Sequence, residues 1–228
     1  MTNFTEYKKV SFSTFILPTI ICSLICFFHF ANLDSRLVFG IRPQNLNYLF
    51  GIFLAPFAHS DSTHLLNNSL PLFFLMSLLI HFFDSLSYRL LFLMYFFTGL
   101  GMWFFCPIGH NIVGASGVLY CLSSFLFFSG LIRRNRQLMS ISLLIVFLYG
   151  SMFWGIFDIP SNEMKNVSWE SHRIGFVIGI FFSIIFKSKG PQKKVYDWED
   201  DDDDDDADAN NESSYVETNQ EIRYTIKK

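Results

Sequence analysis

Charged residues are scarce over most of this chain, and cysteine is scarcer still. Lys, Arg, Asp and Glu make 16% of the 228 residues, whereas hydrophobic residues make 51% and phenylalanine alone occurs 29 times. The four cysteines form no CxxC pair, so we expect neither a disulfide framework nor a zinc site and interpret the thiols as small buried hydrophobes. This composition is typical of a membrane protein rather than a soluble globule.

The net charge of −3 averages two unlike pieces of the chain. Residues 1–196 hold 14 Lys/Arg and 7 Asp/Glu, whereas residues 197–228 hold 3 Lys/Arg and 13 Asp/Glu. The acidic piece cannot bury a core, because its carboxylates repel one another and its apolar residues are few. We therefore predict a disordered acidic tail over 191–228, either simply solvated or able to dock a cytosolic partner.

Apolar runs long enough to cross a bilayer recur along the rest of the chain. A crossing helix needs about 20 residues, and six segments qualify, at about 11–31, 63–83, 88–107, 113–132, 138–157 and 167–187. Placing the N-terminus inside puts ten Lys/Arg of the flanking segments inside and four outside, as the positive-inside rule requires. The sequence thus predicts an all-α membrane protein whose N- and C-termini are both cytoplasmic.

Three segments follow from this topology. Residues 1–10 form a cytoplasmic N-terminus, residues 11–190 a membrane domain of six helices, and residues 191–228 the tail. The outside connection 32–62 is long for a compact domain, which favours a functional role. Because its LNYLFGIFLAPF stretch is apolar, we predict a partly embedded loop with short helices rather than a seventh span.

Polar residues open three of the predicted spans on the outer side. His64 and Asn68 open the second span, Ser116 the fourth and His172 the sixth. At 1.5 Å per residue, Ser116 lies about 5 Å and His172 about 7 Å below the membrane border. Singly, each has a structural interpretation, as helix packing or an interhelical hydrogen bond. Their common side and depth favour a joint chemical role, because polar residues in a bilayer are costly.

Helical spacing adds a second pattern. His172, Gly175 and Gly179 share one face of the sixth span, and Ser116 and Tyr120 share one face of the fourth. The Gly-x-x-x-Gly pair permits close contact with another helix. If these faces meet, His172 reaches Ser116, and the tyrosine ring packs on the imidazole.

The chemistry that these groups permit is acyl transfer. A serine hydroxyl becomes a nucleophile when a base takes its proton, and an imidazole suits that role. The developing oxyanion needs donors, for which the Ser116 backbone N–H, the Asn68 amide and a His64 N–H are candidates. No carboxylate is placed to orient His172, because Glu170 points to another face and Asp158 lies in a loop. The sequence therefore predicts a Ser–His dyad rather than a triad.

Three motifs resemble those of the rhomboid intramembrane serine proteases. HSDSTHLLNN (59–68), GASGVLY (114–120) and SHRIGFVIG (171–179) follow the family patterns H-x4-H-x3-N, G-x-S-G-x3-Y and H-x2-G-x3-G, in the family's order. The resemblance covers roughly residues 11–187. It implies a six-helix core with a cavity opening outward, and substrates that are transmembrane helices cut near the outer membrane border.

The resemblance also implies a role for each matching residue. Ser116 is the nucleophile and His172 the general base, while His64, Asn68 and the Ser116 N–H form the oxyanion hole. The supporting residues are Tyr120 under the histidine, His59 in water retention or loop positioning, and the glycines Gly114, Gly117, Gly175 and Gly179. No metal, cofactor or nucleic-acid partner is implied. The plain six-span plan suggests a prokaryotic plasma membrane.

The sequence departs from the family pattern at one point, and alternative functions have to be weighed against a serine protease. Many members of the family carry a Trp-Arg pair in the first outside loop, where this chain has Arg42-Pro43, so loop anchoring is open. A zinc protease needs H-E-x-x-H, which is absent. An aspartyl type needs two intramembrane Asp, whereas Asp84 and Asp158 lie in loops. The remaining alternative is an inactive rhomboid-like protein that binds transmembrane helices.

Overall fold

The computed structural model describes residues 10–31, 33, 36–148 and 168–192. Their regular structure is helical and includes no strand, which confirms the all-α prediction for this part of the chain. The long helices are α1 (Ser13–Phe30), α2 (Ser62–Phe83), α3 (Leu86–Phe105), α4 (Ser116–Ile132), α5 (Arg136–Leu148) and α6 (Trp169–Ile185). Between α1 and α2 lie the short helices Arg36–Phe39 and Gly51–Leu54 and the 3-10 turns Leu46–Tyr48 and Ala55–Phe57.

The observed bounds follow the predicted spans closely. The largest difference is at the start of α4, expected at 113 and observed at Ser116, because Gly114 adopts a φ of 99° that a helix cannot contain. The second half of the fifth predicted span, 149–157, and nearly all of the predicted acidic tail lie outside the described residues.

Three helices, α1, α2 and α3, are individually long and apolar enough to cross a membrane. Helix α4 is also apolar but has only 17 residues. The count of six spans and the cytoplasmic placement of both ends therefore remain predictions.

Helix α4 is the centre of the core. Twelve of its 17 residues are buried, including every position from 117 to 126. It has no charged residue within its bounds, and the hydroxyls of Ser123 and Ser124 bond to backbone carbonyls of the preceding turn, at 2.8 Å to the Leu119 oxygen in the case of Ser123. Because it carries no charge and is hydrophobic on all sides, this helix can be surrounded by α2, α3, α5 and α6.

Helices α4 and α6 form the most extensive helix–helix contact in the described structure. A Cβ on Gly175 would lie 2.0 Å from the Gly117 carbonyl oxygen, and one on Gly179 would lie 2.2 Å from the Cys121 oxygen. The Ser124 hydroxyl also donates across the interface to the Phe176 carbonyl at 2.9 Å. The two backbones therefore touch directly, as small-residue helix pairs in membranes do.

Arg133 ties the other ends of the same two helices together. Its side chain is only 4% exposed and donates to the carbonyls of Ser129, Phe186 and Lys189. The guanidinium also lies 5.3 Å from the centroid of the Phe83 ring. Burial lowers the pKa of Arg133 to about 10, so the group stays cationic at neutral pH and remains a full donor.

We expect Gly179→Ala to destabilise the protein, because the new methyl would overlap backbone atoms of α4 that cannot move singly. The free energy of unfolding should fall by about 1–3 kcal/mol, measured as a lower thermal midpoint in detergent. Val177→Ile is the matched control, since it adds one carbon on the same helix to a side chain that is 62% exposed. Equal midpoints for the two variants would contradict this account of the interface.

Arg133→Met should also destabilise the protein, because it removes the charged donor shared by three carbonyls at the ends of α4 and α6, of which those of Ser129 and Phe186 keep only a backbone N–H. Hydrogen bonds to a charged group contribute about 1.5–3 kcal/mol, so a loss of roughly that size is expected in thermal or chemical unfolding. The adjacent Arg134 is exposed, and Arg134→Met removes the same charge without touching these carbonyls. If the unfolding midpoint falls equally in both variants, the loss of stability comes from the removed positive charge and not from the hydrogen bonds of Arg133.

Candidate active site

Ser116 is the first residue of α4 and is half-buried. The preceding loop carries no other hydroxyl near it, and Ala115 supplies no side-chain cap. The N–H groups in the first turn of a helix have no intrahelical acceptor. A hydroxyl and an available backbone donor therefore occur together at this residue.

His172 comes to the same turn of α4 from the neighbouring helix. Helix α6 begins after Ser168, whose side chain caps it, and His172 is buried in its first turn. The imidazole stacks on the Tyr120 ring with 4.1 Å between centroids and 18° between planes. Tyr120 lies one turn after Ser116, and Gly175 lies on Gly117. Together these contacts fix the imidazole beside the turn that Ser116 begins.

His64 and Asn68, on α2, approach the backbone that precedes Ser116. A Cβ on Gly114 would lie 2.8 Å from His64 Nε2 and 3.3 Å from Asn68 Nδ2. Asn68 is 4% exposed, and its Nδ2 has no hydrogen-bond acceptor within the described part of the chain. Such an unpaired buried donor is costly. Two polar nitrogens thus converge on the backbone two residues before Ser116.

The start of α2 is held by the side chain of Asp61. Its carboxylate accepts the His64 backbone N–H at 2.8 Å and the Ser60 hydroxyl at 2.7 Å. These hydrogen bonds, the His64 bond foremost, hold the pKa of the Asp61 carboxyl below its usual range. His59 is 2% exposed, and its ring meets the His64 ring edge-on with 5.0 Å between centroids. The cap and this ring contact together orient His64.

The outer loop supports the segment that precedes Ser116. Ile41 and Ile112 exchange two backbone hydrogen bonds, at 2.8 and 3.0 Å. The Gly114 N–H donates to the Ala55 carbonyl at 2.8 Å. The left-handed backbone at Gly114 is therefore pinned by the loop on one side and by α2 on the other.

Other residues anchor this loop in place of a Trp-Arg pair. Trp103, near the end of α3, donates its indole N–H to the Asn45 carbonyl at 3.2 Å. The Arg42 guanidinium lies 3.7 Å from the centroid of the Tyr48 ring, a cation–π contact within the loop. A tryptophan and an arginine thus stabilise the loop here, but from separate positions.

Some contributors were not foreseen from the sequence. Ser60 and Asp61 hold the start of α2 at His64. The Met102 methyl lies 1.8 Å from the position that a Cβ on Gly117 would take. The N-cap pattern of Asp61 before a helix could have indicated the first pair, whereas nothing marks Met102 among apolar neighbours. Glu170 accepts a hydrogen bond from Ser168 at 3.2 Å, and Asp158 lies outside the described residues.

The comparisons with known proteins agree with these motifs. A family model described as the Rhomboid domain matches residues 46–189. Uncharacterised proteins of Mycobacterium tuberculosis and Mycobacterium bovis are each 31% identical over 171 residues, which is 70% of this chain and 68% of theirs. One from Mycobacterium leprae is 27% identical over 169 residues, 72% of this chain and 64% of its own. With its apolar helices, the chain is an integral membrane protein that belongs to the rhomboid family.

Proposed function

We propose that this protein is an intramembrane serine endopeptidase that cuts transmembrane segments of other proteins near the outer membrane border. Rhomboid proteins are mostly intramembrane serine proteases. The observation that carries the proposal is the arrangement along the chain around Ser116, with the Tyr120–His172 stack one turn after it and the His64 and Asn68 nitrogens beside Gly114, two residues before it. These are the nucleophile, base and donors that acyl transfer needs.

The reaction begins when His172 takes the proton of the Ser116 hydroxyl as its oxygen adds to the scissile carbonyl carbon. The imidazolium then gives that proton to the leaving amine, and an acyl-enzyme on Ser116 remains. Water attacks the ester by the same route in reverse and releases the new carboxyl end. The Tyr120 ring contacts the imidazole face at 4.1 Å and limits its rotation.

The oxyanion of each tetrahedral intermediate is stabilised by donors that are already in place. The Ser116 backbone N–H, a His64 ring N–H and the Asn68 amide serve this role. Asn68 Nδ2 is the clearest member, because it is buried without an acceptor among the described residues. A donor of this kind contributes roughly 10²–10³ in rate.

The proposed setting is a bilayer crossed six times, with both ends in the cytoplasm and the site near the outer surface. The loop before α2 sits partly in the outer leaflet, which accounts for its exposed apolar side chains, such as Leu46 at 74%. The substrates are transmembrane helices, and the mycobacterial relatives favour the plasma membrane of a bacterium. The acidic tail is a candidate contact for a cytosolic partner.

The alternative is an inactive family member that only binds transmembrane helices. It keeps the same fold and needs no reactive serine. A covalent probe of Ser116 separates the two, because binding alone does not make a hydroxyl nucleophilic.

We expect Ser116→Ala and His172→Ala each to reduce cleavage of a model transmembrane substrate in detergent to background, since either change removes the nucleophile or its base. The wild type should also form a covalent adduct with a fluorophosphonate, found by mass spectrometry on the peptide that contains Ser116. His172→Ala should label poorly.

Ser129→Ala is the matched control. Ser129 lies on the same helix, is fully buried, and its hydroxyl has no hydrogen-bond partner among the described residues, so its loss should leave cleavage unchanged. If the Ser116→Ala variant still cleaves the substrate, the proposal of a serine protease is wrong. A folded wild type that neither cleaves nor labels would favour the binding alternative.

Gly114→Ala should lower kcat by roughly 10²-fold, the effect of displacing a catalytic group by about 1 Å. The new methyl would lie 2.7 Å from His64 Cε1 and push the imidazole out of place. Gly109→Ala is the control, because Gly109 also has a positive φ, 91°, but nothing lies within 4 Å of its Cβ position. If both variants lose kcat equally, backbone strain and not His64 is responsible.

A further inference from the structure

Four exposed cations lie at the end of the helices opposite the candidate active site. They follow α4 and α6 in the chain: Arg134 and Arg136 after α4, and Lys187 and Lys189 after α6. None of the four forms an ion pair within the described part of the chain. The one described carboxylate at this end is that of Asp84, which follows α2. This surface, which we call the basic end, therefore carries an excess of positive charge.

The two basic segments are held side by side. From the end of α4, the buried Arg133 side chain donates to the carbonyls of Phe186 and Lys189, the latter at 2.8 Å. The next residue, Gly190, lies on the end of α2, because a Cβ there would be 2.6 Å from Phe83 Cδ1. The segment after α6 is therefore fixed against the ends of α4 and α2, and its lysines share one surface with the arginines that follow α4.

Arg134 has a backbone conformation that arginine rarely adopts. Its φ is 51°, and it ends α4 in a Schellman-type turn in which the Asn135 N–H donates to the Gly130 carbonyl at 2.8 Å. Glycine is usual at this position, since the left-handed conformation brings a Cβ close to the following carbonyl. The Arg134 side chain is exposed and makes no hydrogen bond, ion pair or ring contact with the described residues. A side chain that costs stability and finds no partner in the described chain points to a partner outside it.

Directly before the cations, the same two helices expose apolar side chains. They are Leu131 and Ile132 at the end of α4 and Ile184 and Ile185 at the end of α6, each 40–53% exposed. In an integral membrane protein such residues contact acyl chains, and cations just beyond a helix end reach the level of the phosphates. Basic clusters at this level attract anionic lipid. The order along each helix, apolar and then basic, is that of the acyl chains and the headgroup of a phospholipid.

We propose that the basic end binds a phospholipid with an anionic headgroup, whose phosphate accepts hydrogen bonds from Arg134 and its neighbouring cations while the acyl chains lie on α4 and α6. Arg134 contacts the headgroup, and the stability lost through its backbone conformation is offset when the lipid binds. Arg133 only fixes the two segments. This site lies at the opposite end of the helices from Ser116 and does not depend on the protease assignment.

Native mass spectrometry measures this binding without any catalysis. Full-length protein, acidic tail included, is titrated in detergent micelles with phosphatidylglycerol and with phosphatidylcholine of the same acyl chains. We expect the anionic lipid to bind more tightly by at least about 5-fold, the contribution of a single basic residue near anionic lipid. Equal affinities for the two lipids would overturn the proposal. Competition by an equal concentration of soluble glycerol 3-phosphate would also overturn it, because it would show a site for a free anion.

Arg134→Gly separates lipid binding from folding. Without lipid, its thermal midpoint should rise by about 2–4 °C, because glycine relieves the left-handed strain. Its affinity for phosphatidylglycerol should fall about 5-fold with the lost charge, whereas Arg134→Lys keeps the charge and should bind nearly as the wild type does. A lower midpoint would show instead that the Arg134 side chain supports the fold, which contradicts the argument from its backbone. If Arg134→Gly binds phosphatidylglycerol as tightly as the wild type, the proposal is wrong.

Arg173→Gln is the matched control, because Arg173 is also an exposed cation but lies near the beginning of α6, at the other end of the helix. Its affinity for phosphatidylglycerol should equal that of the wild type. If Arg173→Gln and Arg134→Gly lose affinity equally, the lipid responds to net charge and no site exists at the basic end. Should Arg134→Gly not fold, the double variant Lys187→Gln/Lys189→Gln gives the same test, with an affinity expected to be about 25-fold weaker. Wild-type affinity in that variant would likewise overturn the proposal.

Discussion

The close contact between α4 and α6 is the constraint on which the rest of this structure depends. At Gly175 and Gly179 the two backbones are so near that a single methyl group would overlap carbonyl oxygens of α4. At the far ends Arg133 binds carbonyls of both helices. Two helices joined along their length cannot rotate independently, so the angular position of each side chain on one is fixed relative to the other.

This constraint is what makes a hydroxyl and an imidazole on different helices act as neighbours. The imidazole that stacks on Tyr120 is 56 residues away from Ser116 in the sequence, so only the packing of the two helices brings it to this turn. The glycine contact brings Gly175 onto Gly117, and the Tyr120 ring then meets His172 at 4.1 Å. The small residues that look like simple packing therefore also set the position of the His172 imidazole relative to the turn that Ser116 begins.

Sequence reasoning reached this pair because helical periodicity is regular. Once Ser116 and Tyr120 were placed on one face and His172 and Gly175 on another, only the assumption that the faces meet was needed. The helix bounds can be predicted from the lengths of the apolar runs. The all-α fold class can be predicted from the same runs.

The contacts around His64 could not be found in the same way. They depend on loop conformation, namely the left-handed φ of Gly114, the Asp61 cap and the Ala55 carbonyl that binds the Gly114 N–H. Loop conformation, unlike a helix, leaves no regular spacing of residues in the sequence from which contacts could be predicted. The anchoring of the outer loop was missed for the same reason, because Trp103 and Asn45 are 58 residues apart and neither stands in a motif.

The two sides of the site differ in what they cost the folded protein. On the α6 side the imidazole is stacked and its helix is packed, so assembly is favourable by itself. On the α2 side Asn68 Nδ2 is buried without an acceptor in the described structure, a loss of about 1–3 kcal/mol. Under the proposed function this cost is recovered when an oxyanion forms and accepts that bond, which is how a fixed donor lowers a barrier without reorganising.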